Sequence, residues 1–135
     1  QQHRILIQAP VDDPDTQGDQ LRHWLAHRAR RVLKPWLAQV ANECGLDYQK
    51  MQVRGQRTRW GSCSAQGSIS LNYKLLFCDP PVVRYLLVHE LCHTRHLNHG
   101  KRFWNLVARF EPDWRALDKQ LGASWKRVPA WVEMR

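Results

Sequence analysis

The chain has 135 residues, of which 43% are hydrophobic and 24% are charged, and its formal net charge is +9. This length fits one domain with a core of its own, so we expect a single domain over residues 1–135, present as a monomer. No stretch approaches the ~18 apolar residues of a membrane-spanning helix, and no apolar signal-peptide region is visible, so we expect no membrane contact. The four cysteines form no C-x-x-C pair, so we expect reduced, buried thiols in a cytoplasmic protein: Cys44, Cys63, Cys78 and Cys92.

The N-terminal part predicts one short strand and one long helix. Residues 4–8 form an apolar stretch typical of an edge strand, and a loop rich in Pro, Asp and Gly follows up to Gly18. A mostly apolar set then recurs at steps of three and four, which predicts a long amphipathic helix: Leu21, Trp24, Leu25, Arg28, Val32, Trp36, Val40 and Cys44. Pro35 lies inside this stretch and removes a backbone donor, so we expect either a kink or two helices.

The remaining chain mixes strands with helices, which predicts an α+β fold. Two stretches alternate in the manner of strands: residues 48–54 and 68–72. We expect Gly61 and Gly67 to mark turns between these strands. Three stretches have helical periodicity: residues 80–97, 103–110 and 114–122. Pro80 and Pro81 suit the start of the first of these helices.

The most specific feature is the segment from His89 to His93, which reads His-Glu-Leu-Cys-His. On a helix, residues four apart share one face, so both imidazoles can bind one zinc ion, at about 2.0–2.1 Å. This is the H-E-x-x-H pattern of zinc hydrolases, in which the glutamate, here Glu90, is the general base. The alternative is that the histidines are solvated on a helix surface, but an ionisable cluster on an apolar helix is costly without a metal or polar partners.

A zinc site of this type needs a third protein ligand, and three residues are candidates. His96 lies on the same helical face but about 10.5 Å beyond the first histidine, so a straight helix would place the ligands in a line. His99 lies between Asn98 and Gly100, a setting that favours ending the helix and turning the chain back. Glu111, on the next predicted helix, is the remaining candidate. We favour His99, which leaves a fourth coordination position open for water.

Four segments together resemble the YgjP-like metallopeptidase family, and more distantly the SprT and WLM groups of small zinc peptidases. They are Arg57-Thr-Arg59-Trp60-Gly61-Ser62-Cys63, Ile69-Ser-Leu71-Asn72, Val88 to His93, and Asn98 to Trp104. The resemblance implies a zincin-like fold, with a short antiparallel or mixed sheet packed on the active-site helix. It implies Zn²⁺ as cofactor, His89, His93 and His99 as ligands, and Glu90 as catalytic base. Gly100 stands where many relatives carry serine, a small departure from the pattern.

Arg57 and Arg59 stand beside Trp60, Gly61 and Ser62, where a substrate-binding strand is expected. A planar guanidinium suits a carboxylate or a phosphate, so this pair is expected to bind an anionic part of the substrate. The alternative is that both arginines anchor the loop by pairing with a carboxylate of the active-site helix or of the C-terminal segment. The other basic residues fall into small groups that favour solvated faces, while the net charge leaves contact with nucleic acid or nucleotides open.

The function expected from these residues is a zinc-dependent hydrolase, a metallopeptidase that acts on peptide or protein substrates. Zinc lowers the pKa of a bound water towards ~7, and Glu90 takes a proton as the water attacks a carbonyl. Backbone groups of the Gly61-Ser62 strand would align an extended peptide by strand addition. Three side chains are candidates for stabilising the oxyanion: Tyr73, Tyr85 and Arg59.

Two other functions remain open at this point. A metal-dependent hydrolase of nucleotide phosphoanhydrides would use the arginine pair, although the sequence contains no phosphate-binding loop. A nucleic-acid-associated module with structural zinc would have no use for Glu90, because such a site closes all four coordination positions. Trp125 and Trp131 lie in a less regular tail, which either packs over the domain or helps to close the cleft.

Overall fold

The computed structural model describes residues 14–133, and side chains from residue 18 onward. This part of the chain contains helices and strands in the following order: α1 (Pro14–Cys44), β1 (Lys50–Arg54), β2 (Gly61–Cys63), β3 (Ser68–Asn72), α2 (Pro80–Cys92), α3 (Lys101–Phe110) and α4 (Trp114–Ala123). Short 3₁₀ helices follow β3 and α4: Tyr73–Phe77, Ser124–Arg127 and Ala130–Val132. The predicted α+β fold is confirmed, and the edge strand expected at residues 4–8 lies outside the described residues.

One continuous helix, α1, packs its apolar face on the rest of the fold. Its fully buried residues recur at steps of three and four: Leu25, Ala29, Leu33, Leu37 and Val40. The helix begins at Pro14, so the prediction of a loop as far as Gly18 is wrong for its last residues. It also runs through Pro35, so the alternative of two helices is wrong. Pro35 is exposed, and the carbonyl four residues earlier, which loses its donor, lies where water can bond to it.

The three strands of the described chain form one mixed sheet in the order β1-β3-β2. β1 is parallel to β3, and β2 is antiparallel to β3. Gly67 lies in a turn before β3, with a φ of +85°, as predicted. Gly61 lies within β2, so its predicted place in a turn is wrong. A Cβ at Gly61 would lie only 3.2 Å from Cγ of Glu90, so the absence of a side chain lets β2 approach α2 closely.

The helix predicted over residues 80–97 is shorter in the structure, where α2 ends at Cys92. The backbone N–H groups of Thr94 and Arg95 bond to carbonyls three residues earlier, which tightens the chain into turns. The Thr94 hydroxyl also donates to the carbonyl of Leu91 at 2.6 Å. These local bonds compete with continued α-helix and turn the chain back after α2.

The helix α2 lies at the centre of the hydrophobic core, where it packs against α1, α3, α4 and β2. Its apolar residues are buried nearly all round: Val82, Val83, Leu86, Leu87, Val88 and Leu91. Because these neighbours hold α2 on several sides, side chains at its C-terminal end have fixed positions. Across residues 14–133, none of the helices combines the length and the apolar character needed to cross a bilayer.

The C-terminal segment packs on the loop that precedes β2. Trp125 stacks on Trp60 with ring centroids 3.9 Å apart. Lys74 is fully buried, pairs with the carboxylate of Glu133, and donates to the carbonyl of Gln56 at 2.7 Å. Of the two roles expected for the tail, packing over the domain is the one these contacts support.

Asn72, the last residue of β3, holds the same loop from the inside of the fold. Its side chain is fully buried, and its amide donates to the carbonyls of Gln56 and Arg59, both at 2.8 Å. Its side-chain oxygen accepts from the backbone N–H of Lys74 at 3.0 Å. The loop from Gln56 to Arg59 is therefore held by hydrogen bonds from two buried side chains, those of Asn72 and Lys74.

Replacing Asn72 with alanine should lower the free energy of unfolding by about 2–4 kcal/mol, because each buried group that loses its partner costs about 1–3 kcal/mol. Urea denaturation followed by circular dichroism measures this change. The matched control is Asn105→Ala on α3, where the side chain is exposed and the expected change is below about 0.5 kcal/mol. A loss below about 1 kcal/mol for Asn72→Ala would contradict the role assigned to this side chain.

Candidate metal centre

Three histidine side chains converge beside the C-terminal end of α2. His89 and His93 lie one turn apart, and His99 lies in the loop between α2 and α3. Nε2 of His99 is 3.0 Å from Nε2 of His93 and 3.3 Å from Nε2 of His89. A tetrahedral zinc ion with nitrogen ligands at about 2.0–2.1 Å holds those nitrogens ~3.3 Å apart. The two distances from His99 therefore fit edges of a tetrahedral site, and the three donor atoms all lie within 4.8 Å of one another.

The second ring nitrogens of the two α2 histidines have partners within the protein. Nδ1 of His93 lies 2.9 Å from the carbonyl oxygen of His96, so Nδ1 carries the proton of this ring. Nδ1 of His89 lies 3.3 Å from the hydroxyl of Tyr85, which donates its own hydrogen to Oδ1 of Asp118 at 2.8 Å. The Tyr85 oxygen is therefore the acceptor from Nδ1 of His89. Both rings consequently direct an Nε2 lone pair at the cluster.

These lone pairs fit a metal ion. Nε2 of His99 lies 3.0 and 3.3 Å from the atoms that carry these lone pairs, a spacing at which three imidazole nitrogens can bind one cation. Burial, followed by the neighbouring charges of His93 and His99, lowers the pKa of His89 to about 3, and burial also lowers the pKa of His93. Both rings are therefore neutral at physiological pH, which is the form that binds a metal.

Aromatic side chains of α3 pack around the three imidazoles. Phe103 is fully buried, stacks on His93 with centroids 4.3 Å apart, and meets the other two histidines edge-on at 5.0 Å. Trp104 stacks on His99 at 5.7 Å and on Trp114 at 4.1 Å. Because His99 is exposed and lies in a loop, this ring packing is the contact that fixes its orientation.

The other two candidates for third ligand lie outside this group of three. His96 contributes its backbone carbonyl to His93, and its own ring is not among the converging donors. Glu111 pairs with Arg84, with 3.2 Å between Oε2 and Nε. Because α2 ends before residue 96, the chain turns back and brings His99 to the α2 histidines instead.

Glu90 lies beside the histidines, on the same cleft wall. Only 4% of the residue is exposed, and its Oε1 is buried with no hydrogen-bond partner among the described residues. Burial raises the pKa of Glu90 to about 8, while the charge of Arg59 acts in the opposite direction. A buried carboxylate oxygen without a partner is costly, so this atom marks the place where water or a substrate group completes the site.

The cluster opens into a cleft of about 490 Å³. Four of the five predicted substrate-binding residues line it: Arg59, Trp60, Gly61 and Ser62. Arg57 is exposed and lies outside this lining, so its contact with substrate stays a prediction. Among residues 18–133, whose side chains the structure describes, neither arginine forms an ion pair with a carboxylate, and Glu133 of the C-terminal segment pairs with Lys74 instead. The loop-anchoring alternative therefore has no ion pair to support it.

The strand β2 lies at the edge of the sheet, against the cleft. Trp60 and Ser64, on either side of this strand, each bond to β3 at 2.9 Å. Hydrogen-bonded and non-hydrogen-bonded positions alternate along an antiparallel pair, so Ser62 also faces β3. The backbone N–H and C=O groups of Gly61 and Cys63 therefore point away from β3, towards the free edge.

Of the three candidates for oxyanion stabilisation, Arg59 is the one that lines the cleft. Tyr85 is buried and donates its proton to Asp118. Burial and the hydrogen bond to Asp118 raise the pKa of Tyr85 far above its ordinary value. Tyr73 packs against Gly55, and its ring is not part of the cleft wall. Neither tyrosine lines the cleft, so the geometry gives the predicted oxyanion role of Tyr73 and Tyr85 no support.

The four cysteines are free thiols, as predicted. Only Cys92 is fully buried, and the other three are half-buried: Cys44, Cys63 and Cys78. The prediction of buried thiols is therefore wrong for these three. Cys63 lines the cleft, and burial raises its pKa to about 11. Burial raises the pKa of Cys92 to about 12. Both side chains stay protonated at neutral pH, so neither is an activated nucleophile.

Sequence reasoning did not identify Asp118 as part of this site, nor three apolar residues of the cleft wall: Leu86, Leu97 and Leu121. The contact of Tyr85 with His89 was predictable from the sequence, since Tyr85 precedes this histidine by four residues on the same helix. The contact of Asp118 was not, because it lies 33 residues further along the chain than Tyr85 and meets it only through packing of α4 on α2.

Solved structures and a family profile relate this chain to known proteins. The metallopeptidase zymogen abylysin of Pyrococcus abyssi matches with a TM-score of 0.63 and 20% identity, over 71% of this chain and 97% of that one. The metallopeptidase zymogen jannalysin of Methanocaldococcus jannaschii matches with a TM-score of 0.58 and 16% identity, over 68% and 95%. At these identities the likeness shows the fold, and no curated protein matches in sequence. The profile of the YgjP-like metallopeptidase domain matches residues 1–124, so the chain belongs to the YgjP-like metallopeptidase family.

Proposed function

We propose that this metallopeptidase is a zinc enzyme in which His89, His93 and His99 hold the ion and Glu90 is the general base. The observation that carries the proposal is the convergence of three imidazole donor atoms, all within 4.8 Å of one another, beside a buried carboxylate oxygen that has no partner among the described residues. Three imidazoles suit zinc, whereas calcium and magnesium prefer oxygen ligands. Three protein ligands also leave a coordination position open, as catalytic zinc sites do.

In this mechanism the chain supplies a proton acceptor and a fixed geometry. Zinc, when bound, lowers the pKa of a water towards ~7 and polarises the scissile carbonyl. Glu90 would accept a proton from the attacking water at its unpartnered oxygen and donate it to the leaving amine. Because burial raises the pKa of Glu90, its ionised form binds a proton more strongly than an exposed carboxylate does.

The free edge of β2 would bind the substrate backbone. The N–H and C=O groups of Gly61 and Cys63 point to this edge, which lines the cleft beside Glu90. An extended peptide would add to the sheet there and bring one of its carbonyls to the histidine cluster. The close approach of β2 to α2 at Gly61 fixes the distance between substrate edge and general base.

Arg59 would contact an anionic group of the substrate or the developing oxyanion. Its guanidinium is exposed at the cleft wall, close enough to Glu90 to influence that carboxylate. A guanidinium also suits phosphate, so Arg59 favours hydrolysis of a nucleotide phosphoanhydride as a second candidate function. Parallel assays of an unfolded protein and of nucleoside triphosphates separate the two, because release of phosphate without peptide cleavage would select the second.

The ligand assignment predicts different metal contents for three alanine variants. His99→Ala should weaken zinc binding by more than about 100-fold, beyond the 10–100-fold expected when an orienting partner alone is lost. His96→Ala should keep the metal, because the contact to His93 uses the backbone carbonyl. Glu111→Ala should also keep it, because its partner is Arg84. Zinc per chain after dialysis measures all three, and normal zinc in His99→Ala with loss in Glu111→Ala would overturn the assignment.

The role of Glu90 predicts a separation between metal binding and hydrolysis. Glu90→Gln keeps the size of the side chain and removes the proton acceptor. It should retain one equivalent of zinc and the wild-type circular dichroism spectrum, while hydrolysis of an unfolded protein falls at least ~10²-fold. A variant that hydrolyses at the wild-type rate would refute the mechanism. A variant without zinc would make Glu90 a ligand or a structural partner.

The positions of Arg59 and Arg57 predict a difference between two otherwise similar substitutions. Arg59→Gln should raise KM about three- to tenfold, in line with loss of one partly exposed charge contact, and leave the melting temperature unchanged. Arg57→Gln, outside the cleft, is the matched control and should change neither quantity. Equal effects of both substitutions on KM would show that general surface charge, and not a contact in the cleft, attracts the substrate.

A further inference from the structure

The hydroxyl of Tyr85 connects a proposed zinc ligand to a carboxylate on another helix. It donates to Oδ1 of Asp118 on α4 at 2.8 Å and lies 3.3 Å from Nδ1 of His89 on α2. We propose that Tyr85 and Asp118 act together as positioning residues that fix the tautomer of His89 and thereby set the affinity of the metal centre. The proposal rests on the proposed function only in taking His89 as a ligand.

Asp118 does not touch the ring of His89, but it determines which nitrogen of that ring carries the hydrogen. A tyrosine hydroxyl has one hydrogen, and the Asp118 carboxylate, which only accepts, takes it. The Tyr85 oxygen is then left as an acceptor, and it can be satisfied by His89 only if Nδ1 carries the hydrogen. The neutral ring must in that case present its Nε2 lone pair to the cluster. Without Asp118, Tyr85 could donate to Nδ1, which selects the tautomer that cannot bind metal through Nε2.

Burial makes this orientation persistent. Tyr85 is fully buried, and its ring meets the ring of His89 edge-on with centroids 5.8 Å apart. Hydrogen bonds to a charged carboxylate are about twice as strong as bonds between neutral groups. The Asp118 carboxylate therefore outcompetes His89 for the single hydrogen of Tyr85.

The three histidines are oriented by three different contacts, and the contact that orients His89 is made through the side chains of Tyr85 and Asp118. His93 is held by a backbone carbonyl, which a substitution leaves in place. His99 is held by ring packing on Trp104. Among the described residues, only His89 is oriented through two hydrogen-bonded side chains in series, Tyr85 and Asp118, which single substitutions can remove. We call this pair the relay.

The relay also links the metal centre to α4, which packs closely on α2. Asp118 and Leu121 lie three residues apart on α4, and both line the cleft. The helix that forms part of the substrate wall therefore also supplies the carboxylate that orients His89. A change in the position of α4 would alter both the wall and the tautomer of His89.

The test is the zinc dissociation constant, measured by competition with a chelator on the full chain after removal of metal. Tyr85→Phe removes the hydroxyl and keeps the ring, and it should weaken zinc binding about 10–100-fold. Asp118→Ala should act in the same direction, and Asp118→Asn, which keeps an acceptor oxygen, should recover part of the loss. The double variant Tyr85→Phe with Asp118→Ala should bind no more weakly than Tyr85→Phe alone, because Asp118 acts through Tyr85.

Two controls keep the result specific. Tyr48→Phe and Asp113→Ala remove a hydroxyl and a carboxylate outside the cleft, and both should keep wild-type zinc affinity. The melting temperature of the metal-free chain reports on folding for every variant. Because Asp118 is largely exposed, Asp118→Ala tests the relay even if a change at the buried Tyr85 disturbs the fold.

Zinc affinity within twofold of wild type in both single variants would overturn the proposal. So would a lowered melting temperature with unchanged affinity, since that is the signature of a purely structural contact. Losses that multiply in the double variant would also overturn it, because they would mean that the two residues act independently. The readout is separate from hydrolysis: a wild-type chain that binds zinc but cleaves no peptide refutes the peptidase mechanism, while these affinities still decide the role of Tyr85 and Asp118.

Discussion

The close approach of three imidazole nitrogens is the constraint on which the site depends. Nε2 of His99 lies 3.0 and 3.3 Å from Nε2 of His93 and of His89, which both present lone pairs, so a cation among the three nitrogens stabilises the cluster. Tertiary packing holds them in place: Phe103 lies against all three rings, and α2, which carries two of them, is enclosed by other elements. Functional sites commonly hold such local conflicts, which the rest of the fold stabilises.

The helix α2 belongs to the core and to the site at the same time. Its apolar residues hold it against α1, α3, α4 and β2, so the orientation of His89, Glu90 and His93 is set by packing. Glu90 is buried in the process, which raises its pKa and leaves one of its oxygens without a partner. Gly61 brings the edge strand β2 against the same helix, so the proposed ligands His89 and His93, the proposed base and the proposed substrate edge share one rigid support.

Charge is distributed around the cleft in a way that the net value of +9 does not reveal. Arg59 and Asp118 both line the cleft, so both signs of charge are present beside the histidine cluster. A structural zinc site would close all four coordination positions, whereas the donors gathered here among residues 14–133 are three histidines that face an open cleft. This arrangement favours a hydrolytic centre over a zinc-stabilised binding module.

The helical period by itself determined that His89 and His93 share one face, with Glu90 next to the first of them, because residues four apart on a helix always share a face. The α+β order and the strand over residues 68–72 were also readable, since alternation and helical repeats are local patterns. Only the tertiary structure decided the rest. Early termination of α2 places His99 beside the other histidines, and the fold of one loop puts Arg59 in the cleft and Arg57 outside it. Asp118 meets Tyr85 across 33 residues of sequence, and contacts between distant segments depend on packing that no local pattern encodes.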